Sequence, residues 1–138
     1  MAYWLMKSEP YVFSWQQLVK KGRSGWDGVR NHTAKRNLMD MAIGDEAFFY
    51  HSNEGMEIVG VMKVVKTAYP DPSDETGRFV QVDVAPVAPM PLPVTLKAVK
   101  AQPALADMAL VRLSRLSVQP VTPAEWKLVC KIGSYKPV

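Results

Sequence analysis

The succession of patterned segments predicts an α+β domain in which a curved, mostly antiparallel sheet is flanked by helices. Three observations carry this. Runs of strand length, rich in valine, isoleucine and aromatic residues, recur along the chain; complete helix-start signatures stand at Ser14 and Thr122; and 138 residues suit one core and not two. No internal repeat or linker interrupts residues 1–138, so a single domain is expected.

Residues 3–7, Tyr-Trp-Leu-Met-Lys, read as the first strand. Alternation sets Trp4, Met6 and Ser8 on one face and Tyr3, Leu5 and Lys7 on the other, and a run this apolar is expected to be covered on both sides. Pro10 closes the strand by removing a ladder donor and restricting Glu9. Ser14 with Gln17 forms a capping box, and Trp15, Leu18 and Val19 make the apolar stripe of a short helix ending at Lys20-Lys21-Gly22. A second helix is expected from Asn31 or His32 to Met41, where Ala34, Leu38 and Met41 recur at helical spacing, with Gly44 as its stop. Residues 46–52 and 56–68 form a hairpin around Asn53-Glu54-Gly55. Residues 69–77 carry loop signals throughout, and residues 79–87 alternate Val80, Val82 and Val84 against Gln81, Asp83 and Ala85 as a half-exposed strand. Five prolines from Pro86 to Pro103 predict an irregular crossover, broken by a short helix that Thr95 caps. Residues 110–113 and 116–121 predict a last strand with a basic approach at Arg112, Ser114 and Arg115. Thr122-Pro123-Ala124-Glu125 then opens a final helix, buried through Trp126, Val129 and Cys130 and ending at Gly133.

Composition narrows the function classes. Hydrophobic residues at 48% and charged residues at 22% are ordinary for a globular domain, and no window approaches the roughly 20 apolar residues of a bilayer span. The lone Cys130 forms no internal disulfide, which suits a reducing compartment, so a cytoplasmic location is expected; a monomer is taken as the default, since nothing along the chain encodes oligomeric state. A net charge of +4 suits a polyanionic partner.

Catalytic signatures are missing: no phosphate-cradling glycine loop before a lysine, no nucleophile elbow, no Cys-x-x-Cys or His-Glu-x-x-His. His32, His51 and Cys130 are too scattered for a zinc site, and Asp71, Asp74 and Glu75 read as solvated charge in a proline-rich loop. No metal, cofactor or catalytic residue is expected. What remains is a set of pocket residues. Trp26 stands between Gly25 and Gly28, which either leaves a ring face open for stacking on a planar ligand or holds a core tryptophan in a loop. Lys7-Ser8, Arg30-Asn31, Ser52-Asn53 and Arg115-Leu116-Ser117 each stand where an apolar element ends. If these ends converge, they offer donors and acceptors to a base edge and cations to a phosphate. The competing role for Asn31 and Asn53 is helix and turn capping.

Five strings, Trp-Leu-Met-Lys-Ser-Glu-Pro from residue 4, Trp-Asp-Gly-Val-Arg-Asn from 26, Phe-Phe-Tyr-His-Ser-Asn from 48, Tyr-Pro-Asp from 69 and Leu-Ser-Val-Gln-Pro-Val from 116, closely resemble the EVE domain family. The resemblance runs over essentially the whole chain. It implies a PUA-like fold, a curved β-barrel with flanking helices related to YTH domains, and a reader of modified bases in DNA or RNA, such as methylated or hydroxymethylated cytosine. Under it Trp26 would be the stacking wall, Lys7, Ser8 and Asn31 polar readers, and Ser52, Asn53 and Arg115 to Ser117 the rim. One departure stands out: where the family commonly has Asn-Tyr-Gln-Ala-Arg-Asn, this chain has Asn31-His32-Thr33-Ala34-Lys35-Arg36, in which Lys35 keeps the charge but loses the planar guanidinium fork and Arg36 adds a cation. Two alternatives stay open: an accessory domain of a nucleic-acid modification or restriction system, and a small-ligand module using the same pocket.

Overall fold

The structure, a computed structural model, describes residues 1–137. In chain order it comprises β1 (Tyr3–Ser8), α1 (Trp15–Lys21), β2 (Ser24–Gly25), α2 (His32–Asp40), β3 (Glu46–His51), β4 (Glu57–Pro70), β5 (Val80–Thr95), α3 (Leu96–Lys100), a 3-10 turn (Pro103–Leu105), α4 (Ala109–Arg112), β6 (Val118–Val121) and α5 (Pro123–Ile132). The strands form one six-stranded sheet in the order β2-β5-β4-β3-β1-β6, antiparallel except where β1 runs parallel to β3. Repeated register shifts between β4 and β5, and one between β3 and β4, bend the sheet. The ladder begins at β2 and ends at β6, so among the described residues the expected barrel is a curved sheet without a closing ladder, and α2 packs against β6, β5 and β4.

β1 is apolar on both faces because each face meets a separate core. Trp4 and Met6 join Phe49, Met62, Val64, Val82 and Val84 beneath α1 and α2. Leu5 joins Phe48, Tyr50, Ile58 and Val61 beneath the helices that follow β5. There Trp126 of α5 stacks on Phe48, with ring centroids 3.8 Å apart. The capping boxes at Ser14 and Thr122 form as expected.

Four expectations need correction. The chain does not turn irregular after Val87: β5 continues through Pro86, Pro89, Pro91 and Pro93 to Thr95. Among the described residues it pairs, beyond the two-residue β2, only with β4, so the missing N–H groups lie on an edge, where proline is tolerated. Residues 109–112 are a helical turn and not the start of a strand. Helix α2 ends at a Met41 cap, short of Gly44, and Val19 is 51% exposed outside the α1 stripe.

His51 closes β3 and is buried, with Nε2 accepting the Trp15 backbone N–H at 3.1 Å. Burial lowers its pKa from the ordinary 6.5, against a smaller opposing pull from Glu57. Below that ordinary value the unfolded chain binds the proton more readily, so this contribution to stability is complete above about pH 6.5 and is lost as pH falls through the folded-state value. Thermal unfolding between about pH 8 and pH 5 is therefore expected to show a steeper acid-side fall in Tm for the native chain than for His51→Gln, whose amide oxygen accepts the same N–H without titrating. Parallel curves would assign the acid sensitivity elsewhere.

Candidate binding site

Because β1 and β3 run parallel, their carboxyl ends emerge side by side, with the Ser52 N–H donating to the Ser8 carbonyl at 3.0 Å. The segment before β6 is latched to the same edge: the Lys7 N–H donates to the Ser117 carbonyl at 2.9 Å, and Lys7 Nζ to the Ser114 carbonyl at 2.7 Å. Opposite them runs the loop after β2, held to β5 by the Trp26 N–H donating to the Val82 carbonyl at 2.8 Å. Between these edges opens a cavity of about 810 Å³. Of the residues singled out in the sequence, Lys7, Ser8, Trp26, Ser52, Arg115 and Ser117 line it.

Trp26 corrects the reading of its glycines. The indole is not left bare: it is 5% exposed and packs edge-on against Phe49 and Phe13, at centroid distances of 5.2 Å and 6.2 Å. It forms part of the cavity wall and of the core at once. The glycines serve the backbone. Gly28 takes φ 79°, a left-handed turn, and its N–H donates to Asp71 Oδ2 at 2.9 Å. Gly25 lies so close to Gln81 that an added Cβ would stand 2.6 Å from the Gln81 amide nitrogen.

Arg30, Asn31, Asn53 and Leu116 are not brought to this cavity. Arg30 Nη1 donates to Asp71 Oδ2 at 3.0 Å and Nη2 to Ser73 Oγ at 3.0 Å, so its fork holds the loop after β4. Asn31 caps α2 through Oδ1, accepting the Ala34 N–H at 2.9 Å. Together with Leu116, Thr33 and Leu113 it lines a neighbouring hollow of about 240 Å³, and Arg115 reaches both. Asn53 occupies the hairpin turn at φ 69° and donates to Tyr11 Oη at 3.3 Å. For Asn31 the capping role is the one observed, and Asn53 serves the hairpin turn through its left-handed backbone.

Asp71 is the other correction, since it is 3% exposed and not solvated. Burial alone would raise its pKa, but hydrogen bonds from Ser73, Gly28 and Arg30 outweigh that and hold the carboxyl below its ordinary value. It is the post that anchors the Trp26 loop.

The rim is mixed in charge, with Lys7, Lys21 and Arg115 against Glu9 and Asp27. Lys7 is half-buried, and burial lowers its pKa. Arg115 is exposed and forms no ion pair among the described residues. Ser8 donates its hydroxyl proton to the Phe13 carbonyl at 2.6 Å, which ties down the loop that brings Phe13 and Val12 to the cavity. Phe13, Lys21 and Gln81 were not singled out in the sequence. Gln81 sits opposite Tyr69 across the β4/β5 ladder and is 6% exposed, a placement that alternation alone assigns to the open face.

A family model for the EVE domain matches residues 2–132. The chain belongs to the EVE domain family. Mouse thymocyte nuclear protein 1 is 38% identical over 98% of this chain and 75% of its own length. This EVE domain superposes on the NMR structure of Rpa0253 from Rhodopseudomonas palustris with a TM-score of 0.92 at 60% identity, covering 97% of this chain and 94% of that one. The crystal structure of human THYN1 protein in complex with 5-methylcytosine-containing DNA gives a TM-score of 0.89 at 36% identity, over 99% and 100% of the two chains. The YTH domain of Zygosaccharomyces rouxii MRB1 shares the fold at a TM-score of 0.61 and 18% identity, covering 99% and 88%.

Proposed function

We propose that this EVE domain is a non-catalytic reader that takes one modified base of a nucleic acid, such as a methylated or hydroxymethylated cytosine, into the cavity beside Trp26. The observation that carries this is the cavity itself. An aromatic wall, convergent hydrogen-bonding groups and an unpaired arginine at the mouth occur together in a fold whose human relative is solved with 5-methylcytosine-containing DNA. A volume of about 810 Å³ suits a nucleotide-sized ligand, and extruding a base costs a few kcal/mol that such a pocket must return. The absence of catalysis is part of the proposal. It is supported by Ser8, whose hydroxyl proton is committed to a backbone carbonyl and is not aimed at a ligand by a base. The same proposal takes the domain as a cytoplasmic monomer, and sedimentation at assay concentrations checks the second half of that.

Fluorescence anisotropy with oligonucleotides that differ only in one base modification tests the reading, in DNA and RNA forms. Preference for a modified over the unmodified base by about tenfold or more is the expected result. Equal affinity for both would reduce the domain to a general polyanion binder. Arg115→Ala is expected to weaken binding to every oligonucleotide and to lower the slope of log affinity against log salt by about one. An unchanged slope would take Arg115 off the phosphate path.

A further inference from the structure

Gln81, Tyr69, Asp83 and Arg23 form one hydrogen-bonded row that starts at the cavity and ends at the surface. Arg23 donates to Asp83 Oδ2 through Nη2 at 3.0 Å and Nε at 3.3 Å. Tyr69 donates its hydroxyl proton to Asp83 Oδ1. Burial alone would raise the Asp83 pKa, but the bonds from Tyr69 and Arg23 outweigh it and hold the carboxyl ionised below its ordinary value; the bond to Asp83 in turn raises the Tyr69 phenol. Tyr69 is thus a neutral phenol whose one proton is taken, and its oxygen has only acceptor capacity left.

That oxygen lies 2.6 Å from the Gln81 amide and therefore requires the nitrogen, not the oxygen, on its side. The row fixes which way round the amide points. Gly25 lies flat against the same group, since a Cβ there would meet Nε2 at 2.6 Å and Oε1 at 3.0 Å. The Gln81 side chain makes no other hydrogen bond among the described residues, so Oε1 and the second N–H are what this cavity-lining residue has for a ligand.

Resting on the reader function proposed above, we infer that Gln81 is a specificity-determining residue for a cytosine-type base, and that Tyr69, Asp83 and Arg23 are positioning residues that lock its amide. Oε1 accepts from the 4-amino group and Nε2–H donates to N3. Thymine presents the opposite order, a carbonyl at position 4 and an N–H at position 3, so the locked amide would face oxygen with oxygen and N–H with N–H. An amide free to rotate would accept either base.

The test compares 5-methylcytosine with thymine at one position of an otherwise identical single-stranded oligonucleotide, since these rings differ only at the edge in question. The native domain is expected to prefer 5-methylcytosine by about tenfold to a hundredfold. In Tyr69→Phe that ratio is expected to fall to about twofold while 5-methylcytosine still binds, because the amide is released but not removed. Gln81→Met, of similar size and without the polar edge, should abolish the ratio and serves as the decisive variant if Tyr69→Phe does not fold. Arg115→Ala should weaken both oligonucleotides and preserve the ratio. A ratio retained in Tyr69→Phe or Gln81→Met overturns the inference, as does a native domain that prefers methylated over plain cytosine yet does not discriminate thymine; in both cases the reader function stands. A native domain that binds neither modified oligonucleotide overturns both.

Discussion

Trp26→Ala is expected to eliminate modified-base binding and also to destabilise the fold by about 3–5 kcal/mol, the cost of emptying a large aromatic site in a core. The indole is 95% buried against Phe49 and Phe13, in the same cluster as Met6, Val82 and Leu38, so this position cannot report binding alone. The informative partner is Trp26→Phe. It keeps an aromatic ring against Phe49 and should hold the melting temperature to within a modest shift, while removing the outer part of the wall on which a base would lie. If that wall stacks a base, affinity should fall by about tenfold, at the lower end of what one base–aromatic contact contributes. Native affinity in a folded Trp26→Phe would make the tryptophan a packing residue that merely borders the cavity. Urea denaturation and anisotropy on the same samples separate the two effects.

Asp71→Ala should be nearly as damaging, although Asp71 does not line the cavity. Its carboxylate accepts from the Gly28 N–H at 2.9 Å, Arg30 Nη1 at 3.0 Å, the Ser73 N–H at 2.8 Å and Ser73 Oγ at 2.7 Å. Removing it strands a backbone donor and a guanidinium that were ordered around one buried acceptor. Because the Arg30 side chain is 40% exposed and can turn to water, the expected loss is about 2–3 kcal/mol, short of that for a fully buried pair. The pH dependence has a defined sign. The folded pKa lies below the ordinary 3.8, so the stabilisation is present above that value and is lost as pH falls through the folded one. Asp71→Asn should therefore lose stability at neutral pH and show a flatter acid limb. Affinity should fall with it, since the Trp26 loop is released from its anchor; an Asp71→Asn domain that binds as the native one does would show that the loop is held well enough by the Trp26–Val82 backbone bond.

How much of this was legible along the chain depended on whether the signal was local. Helix caps at Ser14, Thr95 and Thr122 were readable because the donor and acceptor lie three residues apart. The two-sided burial of residues 4–6 was readable from an unbroken apolar run. The proline-bearing part of β5 was misread because tolerance of a missing N–H depends on having no neighbour on that side, and sheet order supplies that fact. Arg30 and Asn31 looked like readers because they end an apolar element, yet their polar groups close onto Asp71 and onto the first turn of α2. Asp71 looked solvated because its partners Gly28 and Arg30 lie 43 and 41 residues away.

Sequence by itself determined most of the element order, the family and the two strand ends, Lys7-Ser8 and Ser52, that border the cavity, because periodicity, capping and short motifs are interactions between near neighbours. Tertiary structure alone decided that Trp26 is packed and not bare, that Asp71 anchors its loop, and that Gln81 meets Tyr69 in a fixed orientation. The physical reason is register. A glutamine on an alternating strand becomes a buried, oriented amide only when the opposite strand sets a phenol beside it and a glycine leaves room above it.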